Sequence, residues 1–194
     1  MNLGDCYHSD STLQAAGFRR LGRNVKIHAR ASVYGTEKIA LGDDVRIDDF
    51  AIIIATGPVE IGAHVSIPNF CFLGARNGIT LENYVTLAPG VKIFTASDDY
   101  HGDKMTGPTL PADLTGGGAG PVILKRHTIV GAGSVILPGC TLEEGCAVGA
   151  LSLVSDDLDA WGVYAGIPAR RIKERRRELL KLAAHWSERR ALAS

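Results

Sequence analysis

Aliphatic residues recur along this chain at every sixth position. Leu21, Leu41, Ile61 and Leu81 stand 20 residues apart and open similar phrases, LGRNVK, LGDDVR, IGAHVS and LENYVT. The beat runs through Leu21, Ile27, Val33 and Ile39, then Leu41, Ile47, Ile53 and Val59, then Ile61, Ile67, Leu73 and Ile79, then Leu81, Leu87 and Ile93. It stops there and resumes at Val122, Leu124, Val130, Ile136, Leu142, Val148 and Val154, with a turn of 18 residues from Leu124 to Leu142. All 22 positions hold Leu, Ile or Val, which make up only about a quarter of the chain, so chance does not explain the series.

A period of six fits neither an amphipathic helix nor a single alternating strand. It fits a coil with three flat faces per turn, one inward aliphatic on each face. Four residues after each aliphatic comes a small or β-branched side chain, among them Val25, Ala31, Val45, Ala51, Cys71, Val91, Ser134 and Ser152. These are expected to point into the narrow corners of a triangular section. Glycines directly after the aliphatic, such as Gly22, Gly42, Gly62 and Gly131, suit close-packed bends. Ser11 to Ala16, closed by Gly17, is expected to form a short helix capping the first turn.

Two stretches leave the beat. FTASDDYHGDKMTGPTLPADLTGGGAGP, between Ile93 and Val122, is rich in Gly, Pro, Asp and Thr and reads as a long loop. Loops of that length in compact domains are usually functional or disordered, and the cluster Asp98, Asp99, Tyr100 and His101 favours function. The tail, from Ile172 onward, is expected to be helical, with Ile172, Leu179, Leu180, Ala183 and Trp186 near one face.

Charge sharpens the picture. The chain carries 21 basic and 21 acidic residues, and the tail from Pro168 holds nine of the basic ones and three of the acidic, which leaves the body acidic. That distribution argues against a nucleic-acid binder, whose basic surface belongs on the main body. No apolar run approaches the roughly 20 residues that span a bilayer, and no apolar core of an export signal stands near Met1, so a cytoplasmic protein without membrane insertion is expected. Of the four cysteines, Cys71, Cys140 and Cys146 fall in the small inward column and are read as packing, with no paired metal-ligand spacing.

With this repeat, the chain resembles the hexapeptide-repeat acyltransferases over essentially its full length, and the ending YAGIPARR is similar to the AGxPAR ending of sugar O-acetyltransferases of the maltose and galactoside type. The resemblance implies an all-β solenoid, a left-handed parallel β-helix with an extended loop and a C-terminal α-helix; the handedness comes from the resemblance, not from the period. The expected organisation is a cap over 1–20, the β-helix over 21–165 with the excursion 94–121, and a basic helix over 166–194. The resemblance also implies acetyl-CoA as co-substrate with no metal, a homotrimer, and a sugar, polysaccharide or nucleotide-sugar acceptor. O-acetylation of a hydroxyl is the first expectation, with N-acetylation of an amino sugar or a non-catalytic scaffold as alternatives. Hexapeptide folds also host zinc carbonic anhydrases, but the spacing of their three histidines does not occur here.

Acyl transfer from a thioester needs an activated nucleophile, an oxyanion donor and tight positioning of both partners. His101, beside Asp98, Asp99 and Asp103, is the first candidate for general base, with Asp98 or Asp99 steering its ring; His127 is the rival. In the maltose and galactoside enzymes a histidine follows a TxxH-like strand end. Here Thr95, Ala96 and Ser97 lead to Asp98, and His101 comes three residues later, which looks closer to polysaccharide O-acetyltransferases with an SDDY loop. Carried over from the resemblance, Ala132, Gly133 and Ala150 line the pantetheine arm, one of their amides serving as oxyanion donor. Gly166, Ile167 and Pro168 continue the coenzyme site, and Arg170 and Arg171 face its phosphates.

Overall fold

Six-residue spacing makes the chain bend after every short strand, and stacking of successive turns then pairs each strand with the one a turn above. A computed structural model describes residues 6–191. Nineteen strands, β1 to β19 in chain order, form three sheets that wrap one core. The first face carries β1 (Lys26–Ile27), β4 (Arg46–Ile47), β7 (Ser66–Ile67), β10 (Thr86–Leu87), β13 (Ile129–Val130), β16 (Ala147–Val148), β18 (Gly162–Ala165) and β19 (Arg170–Glu174). On the second lie β2 (Ser32–Tyr34), β5 (Ile52–Ile54), β8 (Phe72–Gly74), β11 (Lys92–Phe94), β14 (Val135–Ile136) and β17 (Leu153–Val154). The third has β3 (Ile39–Leu41), β6 (Val59–Ile61), β9 (Ile79–Leu81), β12 (Val122–Leu124) and β15 (Thr141–Leu142). All neighbours pair in parallel except β18 and β19.

Register follows the beat. Ile27 pairs with Ile47, Leu41 with Ile61, and Ile53 with Leu73, so like side chains stack in columns. Val122 pairs with Ile79 and Leu124 with Leu81, so the excursion leaves the coil and re-enters in register. From Ile39 to Val154 every aliphatic of the beat is buried, most of them completely. Leu21 and Val33, in the first turn, are only partly covered because one side has no neighbouring turn. The small column is buried from Val45 to Ser152. The glycine bends are tight: a Cβ on Gly42 would come within 2.6 Å of the Gly62 carbonyl carbon.

The caps differ in part from expectation. Helix α1 (Asp10–Ala15) starts one residue early because Ser9 Oγ accepts the Thr12 amide at 3.2 Å, and Gly17 closes it at φ +71°. Residues 1–5 of the expected cap and 192–194 of the tail lie outside the described residues. The basic helix expected over 166–194, with Ile172 on its apolar face, begins only at α2 (Leu179–Ala191). Residues 170–174 are instead β19, antiparallel on β18, with Ile172 exposed. The physical reason is the open edge of β18: its last-turn amides and carbonyls take a returning strand before any helix can form.

Candidate active site

Corners of the coil gather the residues assigned to a coenzyme. Ala132 and Gly133 sit between β13 and β14, Ala150 between β16 and β17, and Gly166, Ile167 and Pro168 follow β18, so all six lie on the edge joining the first and second faces. Backbone bonds tie the turns: Leu151 N–H donates to Ala132 O at 2.8 Å and Leu153 N–H to Gly166 O at 3.0 Å. Two buried serines brace the edge from inside. Ser134 Oγ donates to Gly149 O at 2.9 Å, Ser152 Oγ to the same carbonyl at 2.8 Å, and Ser152 Oγ accepts the Gly166 amide at 3.2 Å. The sequence marks these serines only as small inward residues; their role in setting the edge comes from three dimensions. Gly133 N–H is donated to Pro89 O at 3.0 Å, whereas the amides of Ala132 and Ala150 make no hydrogen bond among the described residues. Arg170 and Arg171, on β19, are exposed; Arg170 stands 3.8 Å from Asp156 and Arg171 pairs with Glu174.

The excursion rises from a different edge, the one joining the second and third faces. Its root is zipped: Ser97 N–H donates to Gly118 O at 2.8 Å and Gly120 N–H to Thr95 O at 3.1 Å. Thr95 is fully buried, donating through Oγ1 to Gly74 O and accepting the Asn77 amide, both at 2.9 Å. Asp99 folds back onto the loop, one carboxylate oxygen accepting His101 N–H at 2.9 Å and the other Lys104 N–H at 2.8 Å. Those backbone donors, His101 first, hold its carboxyl below the ordinary range. Asp99 therefore shapes the loop through backbone bonds rather than through the His101 ring. Asp98 Oδ1 accepts Gly107 N–H at 3.4 Å, and the His101 side chain is exposed.

His127 belongs to the third edge, away from both groups. It occupies a left-handed corner at φ +62°, is 7% exposed, and stacks on Tyr84 with centroids 5.0 Å apart and planes at 7°. Tyr84 stacks in turn on His64, also at 5.0 Å. Helix α2 lies over this ladder through Leu179, Ala183 and Trp186, and Arg190 pairs with Asp44 one turn below His64. Burial, helped by Arg126 and Arg175, pushes the His127 pKa down. The inward cysteines behave as packing: burial raises the thiols of Cys71 and Cys140 to about 11 and that of Cys146 to about 12. Among the described residues no three His, Cys, Asp or Glu side chains come together to hold a metal ion, and no helix is long and apolar enough to cross a membrane.

The fold is a parallel β-helix with a glycine-alanine edge and a long excursion beside it, and the full-length proteins similar to this chain are acyltransferases. No family model matches the chain. It is 37% identical over 177 residues to the dTDP-4-amino-4,6-dideoxy-D-glucose acyltransferase of Escherichia coli, covering 91% of this chain and 92% of that protein. AntD, an N-acyltransferase from Bacillus cereus solved in complex with dTDP and 3-hydroxybutyryl-CoA, superposes with a TM-score of 0.93 at 36% identity, covering 98% of this chain and all of that one. A maltose O-acetyltransferase from Clostridium difficile shares the fold, with a TM-score of 0.59 at 21% identity over 91% of this chain and 80% of that one. The chain belongs to the hexapeptide-repeat sugar acyltransferases, with their left-handed parallel β-helix, and is an enzyme of that family.

Proposed function

We propose that the protein transfers an acyl group from a coenzyme A thioester to the amino group of a nucleotide-linked amino sugar. The observation that carries this reading is the placement of two half-sites on the edges flanking the second face. Ala132, Ala150 and Gly166 lie along one edge, and the excursion with Asp98 and His101 rises from the other. The second face between them is largely apolar on its outside, with Tyr34, Ile52, Ile54, Phe72, Phe94 and Val135 directed outward and none of them buried, and with Lys92 exposed between Phe72 and Val135. A threefold arrangement with these faces inward brings the excursion of one protomer to the coenzyme edge of the next. The active site is then shared between two copies.

In this mechanism the pantetheine arm lies along the edge, and the unbonded amide of Ala132 faces the thioester oxygen. The acceptor nitrogen attacks the carbonyl carbon, forming the C–N bond; the C–S bond breaks, coenzyme A leaves as its thiol, and the proton lost by nitrogen passes through His101 of the excursion to sulfur. Two things favour an amine over the hydroxyl expected first. The proteins matched along their full length act on, or were solved with, nucleotide or amino-sugar ligands. An amine is also already nucleophilic when unprotonated, so an exposed His101 whose ring is not clamped by Asp99 suffices. The test is thiol release from acetyl-CoA and 3-hydroxybutyryl-CoA with dTDP-4-amino-4,6-dideoxyglucose against a non-amino nucleotide sugar. Turnover with the amine is expected; equal or greater turnover with the hydroxyl compound overturns the reading.

A further inference from the structure

The coenzyme edge continues past its glycine-alanine half toward the N-terminus, and there its character changes. The corner position held by Leu151, Gly133 and Gly90 in the upper turns is Phe70 and Phe50 in the lower ones, with Arg30 one turn below Phe50. These three planar groups form one stack. Arg30 lies over Phe50 with its guanidinium carbon 4.7 Å from the ring centre, and Phe50 lies on Phe70 with centroids 5.4 Å apart and planes at 6°. Both rings face outward, Phe50 45% and Phe70 59% exposed. Both take the left-handed corner conformation, φ +56° and +60°, which other non-glycine corners of the coil share, among them the exposed Leu151 at φ +56° one turn above Gly133. Nothing in the core requires an exposed Phe at either place, since Gly90 and Gly133 make the same corner at φ +74° and +68°. Two stacked rings left exposed on this edge offer a flat apolar surface to a ligand.

The stack ends in a slot. The turn above Phe70 holds Gly90, and a Cβ placed there would touch only Gly133 Cα and N, both at 3.8 Å. Gly90 adds no side chain over Phe70, and the residues assigned to the coenzyme begin a further turn up, at Ala132 and Gly133, two strand spacings or roughly 9.6 Å above Phe70. Its height matters for the chemistry. The turn containing Gly90 runs directly through β11 into Thr95 and the root of the excursion, so the slot lies level with the loop that carries Asp98 and His101. Coenzyme contacts occupy the edge on the C-terminal side of this level. The acceptor must enter from the other side, with its reacting sugar at the level itself.

The geometry points to Phe70, backed by Phe50 and Arg30, as the platform on which the acceptor's sugar ring lies. The negative π face attracts the polarised C–H groups of a pyranose, and a deoxygenated sugar offers a less polar surface to it. The guanidinium behind Phe50, held by Asp49 at 2.8 Å, fixes the stack from below. The inference rests on the nucleotide-sugar reading above and adds a specificity subsite to it.

The test combines thiol-release kinetics on dTDP-4-amino-4,6-dideoxyglucose with calorimetric binding of that sugar nucleotide, of dTDP alone and of coenzyme A. Phe70→Ala is expected to raise the acceptor KM and the sugar-nucleotide Kd about tenfold, leaving the Kd values of dTDP and coenzyme A within twofold; Phe70→Tyr restores both. Coenzyme A binding also reports that the variants fold; should Phe70→Ala lose it, Phe70→Leu, which keeps bulk without a flat face, is read instead. An unchanged acceptor KM overturns the platform, as does an equal loss of dTDP alone, which would place the base there. Absence of turnover by the unaltered enzyme overturns the proposed function separately. In that case the platform still stands or falls on whether the sugar adds affinity over dTDP and whether Phe70→Ala removes it.

Discussion

Two histidines separate by environment. His127 is closed in by Tyr84, Arg175 and the corner backbone, and Arg175 Nη1 donates to its carbonyl at 2.7 Å. Burial favours the neutral ring, so its folded pKa lies below that of the unfolded chain, about 6.5. Its contribution to stability is therefore fully present above about pH 6.5 and is lost as the pH falls through the folded value. Melting temperature is expected to fall between pH 7.5 and 5, and His127→Asn, which keeps the left-handed corner, should lose that part of the slope. His101 is open to solvent and lies on the loop assigned to proton transfer. His101→Ala is expected to lower kcat by roughly 10² to 10⁴ with little change in coenzyme Kd; an unchanged kcat removes it from the mechanism. Neither environment was legible in sequence, because Tyr84 stands 43 positions before His127 and Asp99 turns toward backbone amides that the composition does not reveal.

Each turn of the coil is an element that is stable only against its neighbours. Ile67, fully buried in a middle turn, packs between the turns of Ile47 and Leu87. Ile67→Ala is expected to cost about 2 to 5 kcal/mol by urea unfolding, whereas Val33→Ala, in the partly covered first turn, should cost less than half as much. Elements set by the beat were readable because each turn repeats the same inward side chains. β19 was not, because Arg170 to Glu174 are exposed throughout and nothing in their own pattern marks a strand. The strand exists because β18 ends the sheet with an unpaired edge. Helix α2 was readable in type but not in start: Leu179, Ala183 and Trp186 follow helical spacing, while Ile172 belongs to the strand before it.

At the scale of the molecule, the three faces are unlike. The first turns Lys26, Arg46, Ser66 and Thr86 outward in its lower turns and Ile129 and Ala147 above them; the second turns out Tyr34, Ile54, Phe72 and Phe94, with Lys92 among them and the rings of Phe72 and Phe94 5.3 Å apart. If the second face closes a threefold assembly, the particle in solution has about three times the 20.6 kDa of one chain. Phe72→Glu is expected to shift it to monomer by light scattering and to abolish turnover while each chain keeps its melting cooperativity; a variant that stays trimeric and active removes the second face from the interface. The sequence by itself determined the coil, its register and the point where the excursion leaves, because these follow from local spacing repeated turn after turn. Only the tertiary structure decided which edge each candidate occupies: the residues expected to hold the coenzyme on one, the excursion on another, His127 on the third. Position around a prism depends on how many residues each turn spends at its corners, and a loop of variable length resets that count. The 20-residue turn already places Phe50 and Phe70 on successive turns; that both rings turn outward and stack face to face is set by the corner they share in three dimensions.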